Sequence, residues 1–386
     1  MDAPSALDRT CVGAQFSGVG FLCTVMFRFI GAGLLRPLSR AGFAASAAAL
    51  ISGFVGAATA GVPGVGNVID AISDEFEAPW SYDYAQNRSA NGLWYVPFRG
   101  PPEVLELIAP PEGLVPGSTK SLRLRSIDNG DDAYPGAEDL VTVFYHTTAF
   151  GRLLARAENP SFTTWVHLPP IADWPVEQNS FGFRVAAWDS SLISMTNSLG
   201  EYYPSIWTYR GSDGKGYLVA RVGDGFTPDL IIAELPGPGW YTFGISWNAA
   251  GRIEYYAGSG RRTLAAGDLI YTDTLSSRVI EFAVYHFFSL RFPPTGALSP
   301  DFVVDRCRVF TQAALSPPSL RVVSIVNHLV SLTAGAGTPG FAWRVERSPT
   351  LAPNSWQPIE TFLNGAAAHS LSDPAPTPAM FYRLSR

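Results

Sequence analysis

The sequence predicts an all-β protein, and three observations lead to this prediction. Gly (37 residues) and Pro (31 residues) are plentiful, aromatic residues make up 13% of the chain, and short β-branched and aromatic runs recur between turn residues. Gly and Pro end strands and form turns, whereas aromatic and β-branched side chains favour pleated, half-buried surfaces. Strands at this spacing without intervening helical patterns are typical of a sandwich or a barrel.

Composition limits the classes of function. A chain of 386 residues with 47% hydrophobic content can form a large core and more than one domain. Charged residues make up 16% of the chain, and the formal net charge is −6. A mildly acidic chain without a basic stripe argues against a nucleic-acid partner.

The strand pattern is clearest in residues 240–247, where apolar side chains alternate with Thr and Ser. This is the period of a half-buried antiparallel strand. A turn containing Gly251 then leads into another aromatic run, which predicts a hairpin. The predicted strands of this part of the chain are 121–127, 140–146, 161–168, 180–188, 205–210, 216–222, 230–235, 240–247, 252–257, 279–288 and 302–310.

Residues 26–60 have the composition of an export signal. Three arginines within 28–40 form a positive flank, and an uncharged stretch rich in Ala and Gly follows. The triplet Ala58-Thr59-Ala60 matches the small-x-small motif of signal peptidase sites. About 20 apolar residues also suffice to cross a bilayer, so a membrane anchor is the alternative. We expect residues 1–60 to be removed, with Met26 as a candidate start.

Cleavage near Ala60 would leave a secreted or surface-displayed bacterial protein without a membrane span. Its first residues, 61–71, are small and predict a flexible N-terminus. Only Cys307 would remain of the three cysteines, so no internal disulfide can form. A secreted protein of this kind must be stabilised by its hydrophobic core.

A proline-containing linker divides the mature chain. Residues 316–319 read Ser-Pro-Pro-Ser, and prolines favour extended spacers over central strands. We therefore predict a main domain over 72–312, a linker over 313–319 and a small domain over 320–386. The small domain has its own predicted strands at 320–332, 341–347, 356–362 and 381–384.

Four segments of the main domain resemble the concanavalin A-like lectins and glucanases, in particular glycoside hydrolases of the laminarinase and lichenase type. The resemblance implies an antiparallel jelly-roll β-sandwich in which the first and last of these segments lie side by side. It also implies a carbohydrate ligand on one face. The segments are Ser-Asp-Glu-Phe at 73–76, Tyr-Pro-Ser-Ile-Trp at 203–207, the hairpin formed by 241–247 and 253–256, and Val-Asp-Arg-Cys-Arg-Val at 304–309.

The small domain resembles a β-sandwich module at the C-termini of secreted Verrucomicrobia-like proteins. The matching residues are 343–349, Ser355-Trp356 and the closing Phe-Tyr-Arg-Leu at 381–384. The resemblance implies export or surface display more than an activity. The predicted fold is thus a jelly-roll β-sandwich followed by a small C-terminal β-sandwich.

The catalytic motif of the glucanases is missing. Those enzymes carry Glu-x-Asp-x-x-Glu on the strand that follows their Trp-Pro strand, and two carboxylates about 5–5.5 Å apart cleave the glycosidic bond. Here that stretch reads Gly-Tyr-Leu-Val-Ala-Arg at 216–221, without a carboxylate. No Gly-x-Ser-x-Gly or His-Glu-x-x-His motif replaces it. The sequence therefore predicts no catalytic residues.

A face rich in Trp, Tyr and Arg is the candidate ligand site. Flat rings stack on the apolar faces of sugars, and guanidinium groups donate hydrogen bonds to hydroxyls. Alternate residues of three neighbouring strands would carry these side chains on one face. Packing in an ordinary core is the alternative. The candidate ligand-binding residues are Arg184, Trp188, Trp207, Tyr209, Tyr217 and Arg221.

Asp305 is the candidate metal ligand. In the families that the chain resembles, the Asp of the last strand often helps to bind a structural Ca²⁺ with backbone carbonyls. The alternative is a salt bridge between Asp305 and a neighbouring arginine.

These features predict a non-catalytic, lectin-like protein that binds a polysaccharide or glycan. One alternative is a glycoside hydrolase or polysaccharide lyase with unrecognised catalytic residues. The other is a structural or adhesive cell-surface protein. A carboxylate pair beside Trp207 would favour the enzyme, whereas a face filled by side chains would favour the structural protein.

We expect the exported protein to begin close to Gly61, because the small-x-small motif lies directly before it. Intact-mass analysis of protein recovered from the culture medium or the cell surface checks this. A mass that includes residues 1–60 would show that the leader is retained.

Overall fold

The computed structural model describes residues 61–77, 79–95, 104–126, 138–142, 150–192, 200–225, 227–275, 280–291, 299–365, 367–374 and 380–386. The predicted signal region, residues 1–60, lies outside this range. The helices in the described part are short 3-10 turns: Asp70–Ile72, Arg156–Glu158, Ile171–Asp173, Ser190–Leu192, Ala266–Asp268 and Pro353–Ser355. None of the helices described is long and apolar enough to cross a membrane.

Strands make up most of the regular structure, as the Gly, Pro and aromatic content predicts. In chain order they are β1 (Asn67–Val68), β2 (Tyr82–Asp83), β3 (Arg88–Ser89), β4 (Trp94–Tyr95), β5 (Val104–Ile108), β6 (Ser121–Arg125), β7 (Glu138–Thr142), β8 (Leu154–Ala155), β9 (Ser161–Leu168), β10 (Gln178–Trp188), β11 (Glu201–Tyr202), β12 (Ser205–Arg210), β13 (Gly216–Arg221), β14 (Leu230–Glu234), β15 (Gly239–Trp247), β16 (Ile253–Ser259), β17 (Leu269–Thr272), β18 (Phe282–Leu290), β19 (Phe302–Thr311), β20 (Leu320–Val326), β21 (Leu329–Ala334), β22 (Ala342–Ser348), β23 (Gln357–Leu363), β24 (His369–Pro374) and β25 (Phe381–Ser385).

The first nineteen strands form two antiparallel sheets. The smaller sheet has the order β17-β16-β15-β9-β19-β6-β5, with β1 added beside β19. The larger sheet has the order β14-β13-β12-β10-β18-β7-β4-β3-β2, with β11 beside β10 and β8 beside β18. The predicted all-β class, an antiparallel β-sandwich followed by a small second one, is confirmed.

The two sheets pack face to face around one apolar core. Phe181 of the larger sheet stacks on Phe302 of the smaller sheet, with 5.2 Å between ring centroids. Phe162 of the smaller sheet lies 6.0 Å from the ring of His286 in the larger one. Phe162, Phe181 and Phe302 are all fully buried. Burying such aromatic side chains is a main source of stability, because Cys307, in the described part of the chain, forms no disulfide.

The segment after the predicted cleavage site is fixed to the last strand of the sandwich. Asp74 and Cys307 exchange two backbone hydrogen bonds, at 2.8 and 2.9 Å. The guanidinium of Arg308 donates twice to the Glu75 carboxylate, once at 2.7 Å. The early Asp-Glu-Phe segment and the late strand therefore lie side by side, as the resemblance implies.

Part of the region predicted to be a flexible N-terminus is ordered for the same reason. Asn67 and Val68 pair with the end of β19, and Ile69 is fully buried in the core. The backbone N–H of Ile69 also donates to Val309 O at 2.8 Å. The burial of Ile69 and the pairing with β19 thus order this segment, although the residues around it favour turns.

Residues 320–385 form a second, smaller sandwich. One sheet has the order β20-β21-β24 and the other the order β23-β22-β25. Between them lies a separate apolar cluster of Val330, Leu332, Ala334, Val345, Phe362 and Leu371. The run predicted as one strand, 320–332, is a hairpin, because Asn327 and His328 both adopt positive φ and reverse the chain.

The small sandwich is joined to the main one by more than the linker. Phe341 is fully buried, and it belongs to the core of the main sandwich. The N–H of Ala342 donates to the carboxylate of Asp70 at 2.8 Å, and the N–H of Ala71 donates to Gly340 O at 3.0 Å. The domain boundary at 313–319 stays a prediction, and these contacts couple the two sides of it.

We expect Phe341→Ala to loosen this junction. Removing a buried Phe typically costs about 3–5 kcal/mol, because it loses buried area and leaves a cavity. Urea denaturation and limited proteolysis measure the effect, with earlier cleavage expected around residues 316–319. Phe381, which is 42% exposed in the same module, supplies the control Phe381→Ala. Equal stability losses in the two variants would contradict coupling through Phe341.

Candidate functional site

The outer face of the larger sheet carries the residues that the sequence selected. Along β10, Phe181, Phe183 and Val185 are fully buried in the core between the sheets. The alternate residues Gly182 and Arg184 therefore lie on the opposite face. The same alternation places Trp207 on the outer face, since its neighbour Ile206 belongs to the core.

Trp207 lies flat on the sheet, over a glycine. A Cβ atom built on Gly182 would come within 2.8 Å of the Trp207 ring. Gly182 and Trp207 are cross-strand partners of β10 and β12, so the indole occupies the space that the missing side chain leaves. Glycine is thus required here for close approach of a ring to the backbone.

Three arginines surround this indole. The guanidinium carbons of Arg184, Arg221 and Arg291 lie 5.4, 5.1 and 5.5 Å from the ring centroid. Cation–π attraction holds guanidinium groups over an indole at such distances. The side chain of Trp207 is only 1% exposed. The predicted role of this ring as an open stacking platform requires the arginines to move.

Neighbouring polar groups hold two of these arginines in place. Arg184 donates from Nε to Ser205 Oγ at 3.0 Å and from Nη1 to Ser289 Oγ at 3.1 Å. Arg221 donates twice to the carboxylate of Asp229, from Nε at 2.7 Å. Such bidentate pairs fix the plane of the guanidinium.

A cavity of about 380 Å³ lies next to the Trp207 cluster. This volume falls within the range of roughly 300–1,000 Å³ that is usual for small-molecule sites. The lining mixes amides, charges and apolar groups, as expected for a ligand with both polar and apolar surfaces. The lining residues are Glu177, Gln178, Asn179, Tyr209, Val219, Asp229, Ile231 and Arg291.

The structure brings together most of the predicted site residues, but not all of them. Arg184, Trp207 and Arg221 are in contact, and Tyr209 lines the cavity. Tyr217 is the cross-strand partner of Tyr209, and its hydroxyl donates to the Asp213 carboxylate at 2.5 Å.

Trp188 lies apart from this group. It lies four positions beyond Arg184 along β10, about 13 Å away at 3.3 Å per residue. Its ring packs against Phe282, with 5.7 Å between centroids. Trp188 therefore belongs to a different region of the same face.

Sequence reasoning missed several lining residues. Arg291 directly follows β18 and contacts Trp207, but the predicted strand ended at residue 288. Gln178 and Asn179 begin β10, two residues before its predicted start. Strand ends are the least regular part of an alternating pattern, so the pattern could not reveal them.

A half-buried carboxylate with two tyrosines lies elsewhere on this face. The hydroxyl of Tyr203 donates to Glu201 Oε2 at 3.0 Å, and that of Tyr285 lies 3.5 Å from the same oxygen. Burial raises the pKa of Glu201. Burial and the Glu201 charge raise the pKa of Tyr203 to about 12. Arg184 lies over the Tyr203 ring at 5.4 Å, which connects this group to the Trp207 cluster.

Asp305, the predicted metal ligand, lies on β19 and is fully buried. Its carboxylate accepts hydrogen bonds from the hydroxyls of Ser118 and Ser121 and from the N–H of Arg306 at 2.7 Å. Burial raises the pKa of Asp305 to about 6. In the part of the chain described, His, Cys, Asp and Glu form no cluster of three that could hold a metal. Calcium binding by Asp305 stays a prediction.

No protein-family model and no curated protein matches this sequence. Among solved structures, a pseudo β-1,3-glucanase of Mycobacterium tuberculosis has a TM-score of 0.37 at 13% identity, over 62% of this chain and 98% of that one. An alginate lyase from Pseudomonas aeruginosa has a TM-score of 0.31 at 13% identity, over 50% of this chain and 83% of that one.

A carbohydrate-binding module from the evolved Dit protein of Lactobacillus casei phage J-1 has a TM-score of 0.31 at 12% identity. This similarity covers 46% of this chain and 70% of the module's chain. Similarities this distant do not identify a ligand, so the function is inferred from the site.

We expect stability to depend on pH through Asp305. Its folded-state pKa, about 6, exceeds the ordinary value of 3.8, so folding favours the neutral form. The stabilisation is complete below about pH 4 and is lost as the pH rises through about 6. Asp305→Asn should remove this pH dependence of the free energy of unfolding, which amounts to roughly 1–3 kcal/mol across the window. Urea denaturation across the window measures it.

The same two proteins test calcium binding. Added calcium at pH 7 should raise the melting temperature of the wild type and leave Asp305→Asn unchanged if the carboxylate binds the ion. In the pH experiment, parallel profiles of the free energy of unfolding in the two proteins would contradict the titration of Asp305 described above.

We expect Gly182→Ala to displace Trp207, because the new methyl group would overlap the ring. Overpacking of this kind costs about 1–3 kcal/mol. Near-ultraviolet circular dichroism should report the moved indole, and urea denaturation the lost stability. Gly267→Ala is the control, since a Cβ there meets nothing within 4 Å. An unchanged indole signal in Gly182→Ala would contradict the close approach.

Proposed function

We propose that this chain is an exported, non-catalytic carbohydrate-binding protein whose site is the outer face of the larger sheet. The site comprises the Trp207 cluster and the adjoining cavity. The observation that carries the proposal is a cavity of about 380 Å³, bordered by Tyr209, two amide side chains and Arg291, directly beside that cluster.

The chemistry of this cavity suits a sugar. Gln178 and Asn179 have both donors and acceptors for hydroxyl groups. Tyr209, Val219 and Ile231 provide apolar surface for the C–H face of a sugar ring. Amphipathic lining of this kind matches a ligand whose ring faces are apolar and whose edges are polar.

The outer face of β13 favours binding over hydrolysis. Retaining hydrolysis needs two carboxylates about 5–5.5 Å apart. The outward residues of β13 are Tyr217, Val219 and Arg221, because Leu218 and Ala220 point into the core. Two carboxylates, those of Glu177 and Asp229, do line the adjoining cavity, and Asp229 is held by Arg221 in a bidentate pair. Both oxygens of Asp229 accept from Arg221, which places this carboxylate poorly for acting on a ligand, so we rank binding above hydrolysis.

A polysaccharide lyase is the second candidate, favoured by the group around Glu201. In elimination next to a uronate carboxylate, a base removes the adjacent ring proton, a cation balances the developing charge and the bond to the leaving oxygen breaks. The Tyr203 phenolate would take the ring proton, the Glu201 carboxyl would give its proton to the leaving oxygen, and Arg184 would supply the cation. The high pKa of Tyr203 disfavours the phenolate, so we rank binding above elimination.

We expect the exported protein to bind a subset of immobilised glycans, and Tyr209→Ala to weaken that binding at least about tenfold, equivalent to about 1.4 kcal/mol. Tyr209 is chosen over Trp207, because loss of a buried Trp would also cost about 3–5 kcal/mol of stability. A glycan array identifies ligands, and calorimetry gives the dissociation constants.

Tyr84→Ala is the matched control, since Tyr84 is 52% exposed beside β2, at the opposite edge of the same sheet. Equal weakening by both substitutions would place the site elsewhere. Release of unsaturated, ultraviolet-absorbing sugars from a bound glycan would favour the lyase. Absence of binding to every glycan would favour a structural role.

A further inference from the structure

The strand β20, at one edge of the small sandwich, leaves most of its apolar side chains open to solvent. It pairs with β21 on one side, and no strand in the described part of the chain pairs with its other side. Val322, Val323, Ile325 and Val326 are between 53% and 68% exposed. An edge strand with a free row of backbone donors and acceptors beside apolar side chains is a template for a further strand.

The exposed apolar residues lie on both faces of β20. Val322 is opposite Leu332, a core residue of the small sandwich, and therefore lies on the core side. The register with β21 then shifts, and Val326 is opposite Leu329 on the outer side. Leu329 is itself exposed. A strand added at this edge would cover apolar surface on both faces.

The other edges of the small sandwich carry residues that block such pairing. They are Asp373 and Pro374 in β24, Pro358 and Glu360 in β23, and Arg383 in β25. Proline lacks a backbone donor, and a charged side chain resists burial against another strand. β20 contains no proline and no acidic residue, and its single charge, Arg321, lies beside its first residue. Among these edges, β20 is the one that is open to a further strand.

We propose that β20 pairs antiparallel with β20 of a second copy of this chain, so that one sheet runs through both copies. The strand is complementary to itself, because the uncharged residues 322–326 of one copy would meet the same residues of the other. Antiparallel pairing places the two Arg321 side chains at opposite ends of the contact, whereas parallel pairing would set these like charges side by side.

The pairing should stop at two copies. A two-fold contact uses the same surface on both partners, so it closes on itself. The edges that remain free in the pair are those blocked by proline and charge. The contact uses no residue of the Trp207 cluster or its cavity, so the proposal stands apart from the proposed function.

Sedimentation equilibrium of the purified protein tests the pairing. We expect a reversible equilibrium between monomer and dimer at micromolar concentrations. Each copy contributes one strand of seven residues, about 23 Å long at 3.3 Å per residue. A contact built on one such strand is small beside the roughly 1,200–2,000 Å² that stable complexes bury, so the dimer should dissociate on dilution.

Ile325→Lys should weaken the dimer at least about tenfold, because a lysine from each copy would enter an apolar contact. Leu351→Lys is the matched control. Leu351 is 67% exposed, against 68% for Ile325, and it belongs to the same module but lies outside β20. The control should dimerise like the wild type, and thermal melting followed by circular dichroism verifies that both variants are folded.

Cross-linking locates the contact. A short bifunctional maleimide should join Ser324→Cys to its counterpart, since antiparallel pairing brings the middles of the two strands together. Cys307 is buried and therefore shielded from the reagent. Ser372→Cys, at an exposed position of the opposite edge strand β24, is the control and should not be joined.

Three results would overturn the proposal. One is a wild type that stays monomeric at every concentration, with Ser324→Cys not joined by the reagent. Another is a dimer that Ile325→Lys leaves intact, because the contact would then lie on another surface. The third is growth into assemblies larger than two, which would show that the other edges are not blocked.

Discussion

The strand from Phe302 to Thr311 is the element on which the rest of the structure depends. It pairs with β9 and β6 on its two sides, and at its end it also pairs with β1. Its middle exchanges hydrogen bonds with Asp74, and its Arg308 holds Glu75. Residues more than 230 positions apart are thereby joined at the centre of the smaller sheet. Through Asp70, the same early segment also holds the small sandwich.

The candidate site lies on the outer face of the larger sheet, and its composition follows from the packing of the core. The core requires Phe181, Phe183 and Val185 to point inward, so the alternate positions of β10 must point outward. A glycine at one of them allows Trp207 to lie against the backbone, and the three arginines then collect around its ring. Packing of the core and composition of the site are thus two consequences of one strand register.

The sequence predicted the class of fold and most central strands, because alternation and turn residues are local signals. Residues 161–168 and 205–210 were predicted with the observed bounds. The four-residue strand β17 was missed because its pattern is too brief, and the edge strand β24 because its residues are mostly polar. The turn at Asn327 and His328 was also missed, because positive φ at non-glycine residues has only a weak signature. The candidate face was predicted, whereas Arg291 and the cavity were not.

By itself, the sequence determined that the protein is all-β, that Trp207 and Tyr209 share one face of their strand, as Tyr217 and Arg221 do on theirs, and that the glucanase carboxylates are missing. Periodicity and residue type are sufficient for these statements. Only the tertiary structure decided that Trp207 is covered by arginines, that Trp188 lies apart and that Phe341 joins the two sandwiches. The physical reason is that burial and contact depend on residues distant in the chain, whose approach is set by sheet order and closure rather than by local pattern.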